Sequence, residues 1–129
     1  MILAHGIDAV DISRFRYWHK YSNIQLLHVF SLEEIDYCLQ NQYKSAERFA
    51  ARFAAKEAFY KAACSFGLKN ISFLAFCKMV YVEKKEDNTP LIKINIYYTE
   101  ISDMLHSMEI TLSITHSKTL AIASIIIYK

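Results

Sequence analysis

"SAERFAARFAAKEAFYKAACSFG", residues 45–67, decides how the chain is organised. It reads as a helix from about Ser45 to Ser65, stopped by Gly67, the residue type that best tolerates the turn after a helix end. At about 100° per residue, Phe49, Phe53 and Tyr60 fall within about 40° of one another and form an ordinary core stripe. Beside that stripe, Ala46, Ala50, Ala54, Glu57 and Lys61 share an arc of about 80°. Alanines let another backbone or a ligand come close, and Glu57 and Lys61, one turn apart, end the strip. Two readings of this pair stand: a solvated i,i+4 ion pair of about 0.2–0.5 kcal/mol, or part of a site. Arg52 and Lys56 form a second pair, of like charge, nearer the other side of the stripe. It marks either a solvated face or an anionic partner, because like charges at that spacing slightly destabilise an isolated helix.

Working outward, ILAHGIDAV (2–10) is short, mostly apolar and reads as a strand with Asp8 near its exit. A carboxylate there is costly to bury without a partner. It either caps the next helix or bonds backbone amides, or it meets the end of the alanine strip. In the last case Asp8 and Glu57 put two acids near one point, where they repel unless a cation or proton intervenes. A sparse oxygen site of one or two carboxylates, completed by waters and a substrate's phosphates, suits magnesium.

Asp11 or Ser13 is expected to cap a helix reaching about Tyr21 and carrying Arg14, Arg16 and Lys20. Ser31 and Glu34 form a capping box that opens a short helix to about Leu39. ISFLAFCKMVYVEK (71–84) reads as a strand and KKEDNTP (84–90) as a turn. LIKINIYY (91–98) follows as a strand in which Ile92, Ile94 and Ile96 alternate with Lys93 and Asn95. TEISDMLHS can form two helical turns. EITLSITH (109–116) and TLAIASIII (119–127) read as a closing hairpin around Ser117 and Lys118. The order suggests an α+β fold, helices packed on a largely antiparallel sheet, in a single domain over residues 1–129.

Composition narrows the function classes. A chain that is 53% hydrophobic and 22% charged is globular, not disordered, and its net charge of +2 does not by itself argue for nucleic acid. Cys38, Cys64 and Cys77 form no CxxC pair and suit buried thiols in a reducing cytosol. MILAHGIDAVD has no basic opening and carries acids at Asp8 and Asp11, so it is not read as a signal peptide. No apolar run approaches the roughly 18 residues of a membrane span. A cytoplasmic protein without a membrane partner is expected. With two glycines in the chain, no Walker or Rossmann glycine pattern exists, which disfavours the commonest nucleotide-binding architectures.

Taken together, GIDAVDISRF, FSLEEIDYCL (30–39), ERFAARFAAKEAFYKA (47–62) and LSITHSKTLAIASIII (112–127) resemble the holo-acyl-carrier-protein synthases, the small bacterial 4′-phosphopantetheinyl transferases. The resemblance runs nearly end to end and in the same order. It implies a homotrimer with active sites at subunit interfaces. It also implies transfer of phosphopantetheine from coenzyme A to a serine of apo acyl carrier protein, in support of fatty acid biosynthesis. Adenosine 3′,5′-bisphosphate would be released. Carried over residue by residue, Asp8 and Glu57 would hold magnesium, and Lys61 would lie against the coenzyme A phosphates. Glu57, Lys61 and His116 would be catalytic, and Arg52, Lys56, Lys61, Gly67 and His116 would contact the cofactor. On spacing alone, a histidine at a hairpin is more often a surface or structural residue. Arg14, Arg16 and Lys20 would dock the acidic carrier, where charge mainly raises the encounter rate.

Three departures from the family pattern stand out. The glycine-rich loop after the long helix is reduced here to CSFGLKN, with Gly67 alone and Lys69 as a charge that could replace backbone amides. Thr89 precedes Pro90 where glycine is usual, and Thr115 precedes His116 where serine is common. None of these removes an implied metal ligand. Two other readings compete: a non-catalytic carrier-binding module that has lost turnover, and a basic nucleic-acid binder using Arg14, Arg16, Lys20, Arg48 and Arg52. Retained Asp8, Glu57 and Lys61 argue against the first. The small net charge argues against the second.

Overall fold

A computed structural model describes residues 1–95 and 97–129. Strand β1 (Ile2–Asp11) leads into two 3₁₀ turns, Ile12–Phe15 and Trp18–Lys20, and then helix α1 (Asn23–Leu26). Helix α2 (Leu32–Leu39), a 3₁₀ turn at Gln42–Lys44 and helix α3 (Ser45–Phe66) follow. Helix α4 (Phe73–Cys77), strands β2 (Val80–Lys84) and β3 (Pro90–Ile94), helix α5 (Thr99–Leu105) and strands β4 (Glu109–His116) and β5 (Leu120–Tyr128) complete the chain. The fold is α+β. Strands β1, β5 and β4 form one antiparallel sheet in that order, and β2 and β3 form a separate antiparallel hairpin.

Helix α3 is the axis of the molecule. It packs on β1 and β5 on one side and meets α2, α4 and β2 elsewhere. It is apolar on most of its faces, as a helix enclosed by neighbours must be, and Phe49, Ala50, Ala54, Ala58, Phe59 and Ala62 are all fully buried. The close approach that alanines permit happens against the protein's own sheet: a Cβ added at Gly6 would lie 1.9 Å from the Ala58 carbonyl oxygen and 2.9 Å from the Ala62 nitrogen. Both are backbone atoms of α3 and cannot swing aside. Gly6→Ala is therefore expected to cost about 3 kcal/mol or more and to lower the melting temperature by roughly 10 °C. Calorimetry of the variant checks this; an unchanged melting temperature would contradict such a tight strand–helix contact.

The expected elements hold in several places. The Ser31–Glu34 capping box forms, with Ser31 N–H donating to Glu34 Oε1 at 2.7 Å and Glu34 N–H to Ser31 Oγ at 3.2 Å. Gly67 ends α3 at φ 137°, and the Leu68 N–H closes on the Ala63 carbonyl at 2.8 Å. The final hairpin pairs from Glu109↔Tyr128 to His116↔Ala121.

Three expectations need correction. The basic segment after Asp11 forms two short 3₁₀ turns instead of one α-helix, and Asp11 makes no side-chain cap. Its aromatics set that path: Phe15 is fully buried and stacks on Trp18 at 4.5 Å and on Phe53 at 5.3 Å. Residues 71–84 are not one strand. Ser72 caps α4 by accepting the Ala75 N–H, which turns Phe76 onto Phe59 and Tyr60, and only Val80–Lys84 is extended. The second strand of that hairpin stops at Ile94; Ile96, expected to continue its alternation, lies outside the described residues.

Candidate active site

The close fit at Gly6 brings the end of β1 beside the last turns of α3. Two residues beyond the glycine, Asp8 stands opposite Ala123 of β5, and its side chain is only 10% exposed. Lys61 Nζ donates to Asp8 Oδ1 at 2.9 Å and to the Ile7 carbonyl at 3.2 Å. Asp8 Oδ2 is buried and accepts no hydrogen bond from a backbone amide or a basic side chain, so a proton on Glu57 is what the Asp8 carboxylate has to share. Glu57, one turn before Lys61, is half-buried and faces the same carboxylate. Its carboxyl is pushed up to about 7 by burial, then by the hydrogen bond and negative charge of Asp8, with Lys61 and Arg14 pulling the other way.

A buried carboxylate oxygen with no amide or basic partner, beside a second carboxyl held back from ionising, is the arrangement a divalent cation relieves. No third His, Cys, Asp or Glu joins the pair among the described residues. Two carboxylates alone suit magnesium, which keeps waters and takes substrate phosphates, better than metals that need an all-protein cage. The residues present fit the metal that the resemblance implies.

A pH effect follows from Glu57. Its proton is held to about 7 in the folded chain, against an ordinary value of 4.5, so between those values the folded state binds more protons than the unfolded one. Stability from this group is full below about pH 4.5 and falls as pH rises through 7. The expected loss is about 1 kcal/mol, small because the carboxyl is half-buried and screened by solvent. Urea unfolding of the metal-free protein at pH 5 and 7.5 checks it. The wild type is expected to lose more stability than Glu57→Gln over that interval, and equal losses would contradict the coupling to Asp8.

A second cluster lies on another face of α3. Tyr37, Glu47, Arg48, Arg52, Lys84 and His116 line a cavity of about 200 Å³. Arg52 lines this cavity although it is 95% buried, and its Nε has no partner. His116 Nε2 lies 3.1 Å from Glu47 Oε1, which holds the imidazole at the cavity edge. Arg48 donates to the Tyr37 carbonyl at 2.8 Å. Burial raises the Tyr37 hydroxyl, but Lys84, Arg48 and Arg52 outweigh it and hold it below the usual phenol value. Arg52 and Glu57 project about 140° apart around the helix, so the two clusters do not share one face of the chain.

Lys56 is not at either cluster. It is fully buried, donating to Glu34 Oε1 and the Val29 carbonyl at 2.7 Å each and to the Cys77 carbonyl at 3.1 Å. All three of its ammonium protons are used inside the fold, so the expected cofactor contact is corrected to a structural role. Gly67 is exposed, and an added Cβ would meet nothing within 4 Å. Arg14 lies over the Phe53 ring at 4.7 Å and close enough to Glu57 to affect its proton. Arg16 borders a separate cavity with Asp11 and Lys118, and Lys20 lies over Tyr17 at 5.4 Å.

Sequence reasoning missed Tyr37, Glu47 and Lys84 entirely and weighed Arg48 only as a nucleic-acid contact. The resemblance points to Arg52 and His116, and the Arg48–Arg52 spacing on one helix face is a second signal for this cavity; Glu47 sits on the same helix, while Tyr37 and Lys84 arrive from α2 and β2 through tertiary packing.

Known proteins supply a comparison. The pattern described as the 4′-phosphopantetheinyl transferase superfamily matches residues 4–123. The chain is 35% identical to the holo-acyl-carrier-protein synthase of Treponema denticola over 98% of both chains. It is 51% identical to that of Geotalea daltonii over 63 residues, which span 48% of this chain and 50% of that protein. The crystal structure of the Helicobacter pylori holo-acyl-carrier-protein synthase in complex with coenzyme A is similar at 30% identity, TM-score 0.70, over 95% of this chain and 98% of that one.

Proposed function

The chain belongs to the holo-acyl-carrier-protein synthases of the 4′-phosphopantetheinyl transferase superfamily, and from that premise we propose what it does and which residues do it. It transfers the 4′-phosphopantetheine group of coenzyme A to a serine of apo acyl carrier protein, supporting fatty acid biosynthesis in the cytoplasm as a single domain. Among the described residues no helix is long and apolar enough to cross a membrane. The observation that carries the assignment of residues is the meeting of Asp8, Glu57 and Lys61 around a buried carboxylate oxygen with no amide or basic partner.

Asp8 and Glu57 are the ligands for magnesium, which when bound would neutralise the charge of the pyrophosphate oxygens. Lys61, anchored by Asp8 and the Ile7 carbonyl, keeps its ammonium at the site and stabilises negative charge that develops on the departing phosphate. Its proton is held more tightly than in water, chiefly through the hydrogen bond to Asp8, so it acts as a cation and not as a base. Arg52 and His116 hold phosphate at the basic cavity, with Gly67 at the helix end as a less constrained contact. The reaction asks little covalent chemistry of the protein beyond positioning and charge stabilisation.

Separation of the two clusters around α3 supports a homotrimer in which one copy's carboxylates meet a neighbour's basic cavity. The outer face of the main sheet fits such an assembly: Ile7 is 56% exposed there, paired across the ladder with Ser124, while Ala9 pairs with Ile122 and His5 with Ile126.

Release of adenosine 3′,5′-bisphosphate tests the reaction. One equivalent is expected per apo carrier protein, and none with a carrier lacking the acceptor serine. Carrier binding without release would sink the reading and leave a binding module. Arg14→Ala is expected to raise the KM for carrier protein roughly five- to tenfold while leaving that for coenzyme A within about twofold. Equal rises in both would mean that this turn has another job.

A further inference from the structure

Three cations crowd one tyrosine ring in the basic cavity. The Arg52 guanidinium lies 4.0 Å from the centroid of Tyr37, that of Arg48 4.1 Å, and Lys84 Nζ 4.8 Å. Among the described residues none of the three forms an ion pair with a carboxylate; the one acid lining the cavity, Glu47, is spent on His116. A guanidinium as buried as that of Arg52, with its Nε unpartnered, is poorly compensated by water. The negative face of an aromatic ring is what remains to hold it. Arg48 is tied to the same residue twice, through the ring and through its hydrogen bond to the Tyr37 carbonyl. One residue of α2 thus fixes the side chains of two residues one turn apart on α3 and draws in a third from β2.

We infer that Tyr37 is a positioning residue for phosphate binding, its ring face holding Arg48 and Arg52 in place before the anion of coenzyme A arrives. This rests on the reading of the cavity as a phosphate site. The ring, not the hydroxyl, carries the role, because both guanidiniums lie within cation–π range of its centroid. Pre-arranged guanidinium groups give up less conformational freedom when a phosphate docks than free ones do. Loss of the ring therefore acts on binding and leaves the chemical step at Asp8 and Glu57 alone.

The test compares Tyr37→Phe, Tyr37→Leu and Tyr37→Met with Arg52→Ala, each confirmed folded by circular dichroism. KM and kcat are measured for coenzyme A, and the affinity for adenosine 3′,5′-bisphosphate by calorimetry. Tyr37→Phe is expected within about twofold of wild type in all three. Tyr37→Leu and Tyr37→Met are expected to raise the KM and weaken the bisphosphate roughly five- to tenfold, with kcat within about twofold. A Tyr37→Phe variant as poor as Tyr37→Leu would overturn the ring-face account, as would Leu and Met variants that bind like wild type. If Leu fails to fold, Met carries the same comparison. If Arg52→Ala leaves both measures unchanged, the cavity is not the phosphate site and the underlying reading fails; if Arg52→Ala weakens binding and the Tyr37 variants do not, only this inference fails.

Discussion

Lys56→Ala is expected to destabilise the protein by about 3–5 kcal/mol, a large part of the 5–15 kcal/mol typical of a domain. The cause is not the loss of one ion pair but what it leaves behind. Glu34 is as buried as Lys56; its Oε1 accepts from Lys56 and the Ser31 N–H, and its Oε2 accepts the Val82 N–H at 2.9 Å. Without the ammonium a carboxylate is stranded in the interior, and the Val29 and Cys77 carbonyls lose their donor. The network ties α2, α3, β2, the turn after α1 and the end of α4 at one point. Urea midpoints check the size of the effect. Lys56→Met combined with Glu34→Gln is expected to recover much of the loss, since the paired change removes the stranded charge. A single variant as stable as wild type would contradict the structural role assigned to Lys56.

Glu57→Gln is expected to lower kcat by about a thousandfold or more while the fold survives. Glutamine keeps the shape but cannot offer a second negative charge to a cation beside Asp8. Above pH 7 the variant is expected to be slightly more stable than the metal-free wild type, because the repulsion between the two carboxylates is gone. Asp8→Asn should lose transfer to a similar degree. Its stability should change by no more than about 1 kcal/mol through the lost ion pair, because Lys61 is 52% exposed and solvent screens the pair. Normal turnover in either variant would sink the metal assignment. Turnover lost together with folding would leave it unsupported, which is why stability is read on the same samples.

Much of this was legible in the sequence where the chain breaks a local rule. Glu57 and Lys61 beside alanines, and Asp8 within an apolar strand, are out of place for a core, and the structure brings those three together. Gly67 and the Ser31–Glu34 box are local signals, and the elements they bound fall where expected. The failures have a common origin in long-range packing. A helical wheel sees that Lys56 lies on a turn with Arg52, but not that carbonyls from residues 29 and 77 wait for it. Phe73 and Phe76 satisfy a strand as well as a helix by propensity; their contacts with Phe53, Phe59 and Tyr60 decide for the helix. The basic cavity draws on α2, α3, β2, β3 and β4, so its Arg48–Arg52 pair and the His116 of the SITHS segment had a sequence signature and Tyr37, Glu47 and Lys84 had none. The exchange of backbone contact between Gly6 and Ala58 was half visible. The strip of Ala46, Ala50 and Ala54 announced a close approach, but the contact with Gly6 falls beside that strip, at Ala58 and Ala62.

The most direct measurement is intact-mass analysis of apo acyl carrier protein incubated with this protein, coenzyme A and magnesium, run beside a chelator control. The expected result is a gain of one phosphopantetheine per carrier molecule, prevented by the chelator and restored by excess magnesium. No gain, with the protein folded and a carrier that a known transferase can modify, would contradict the account at its centre.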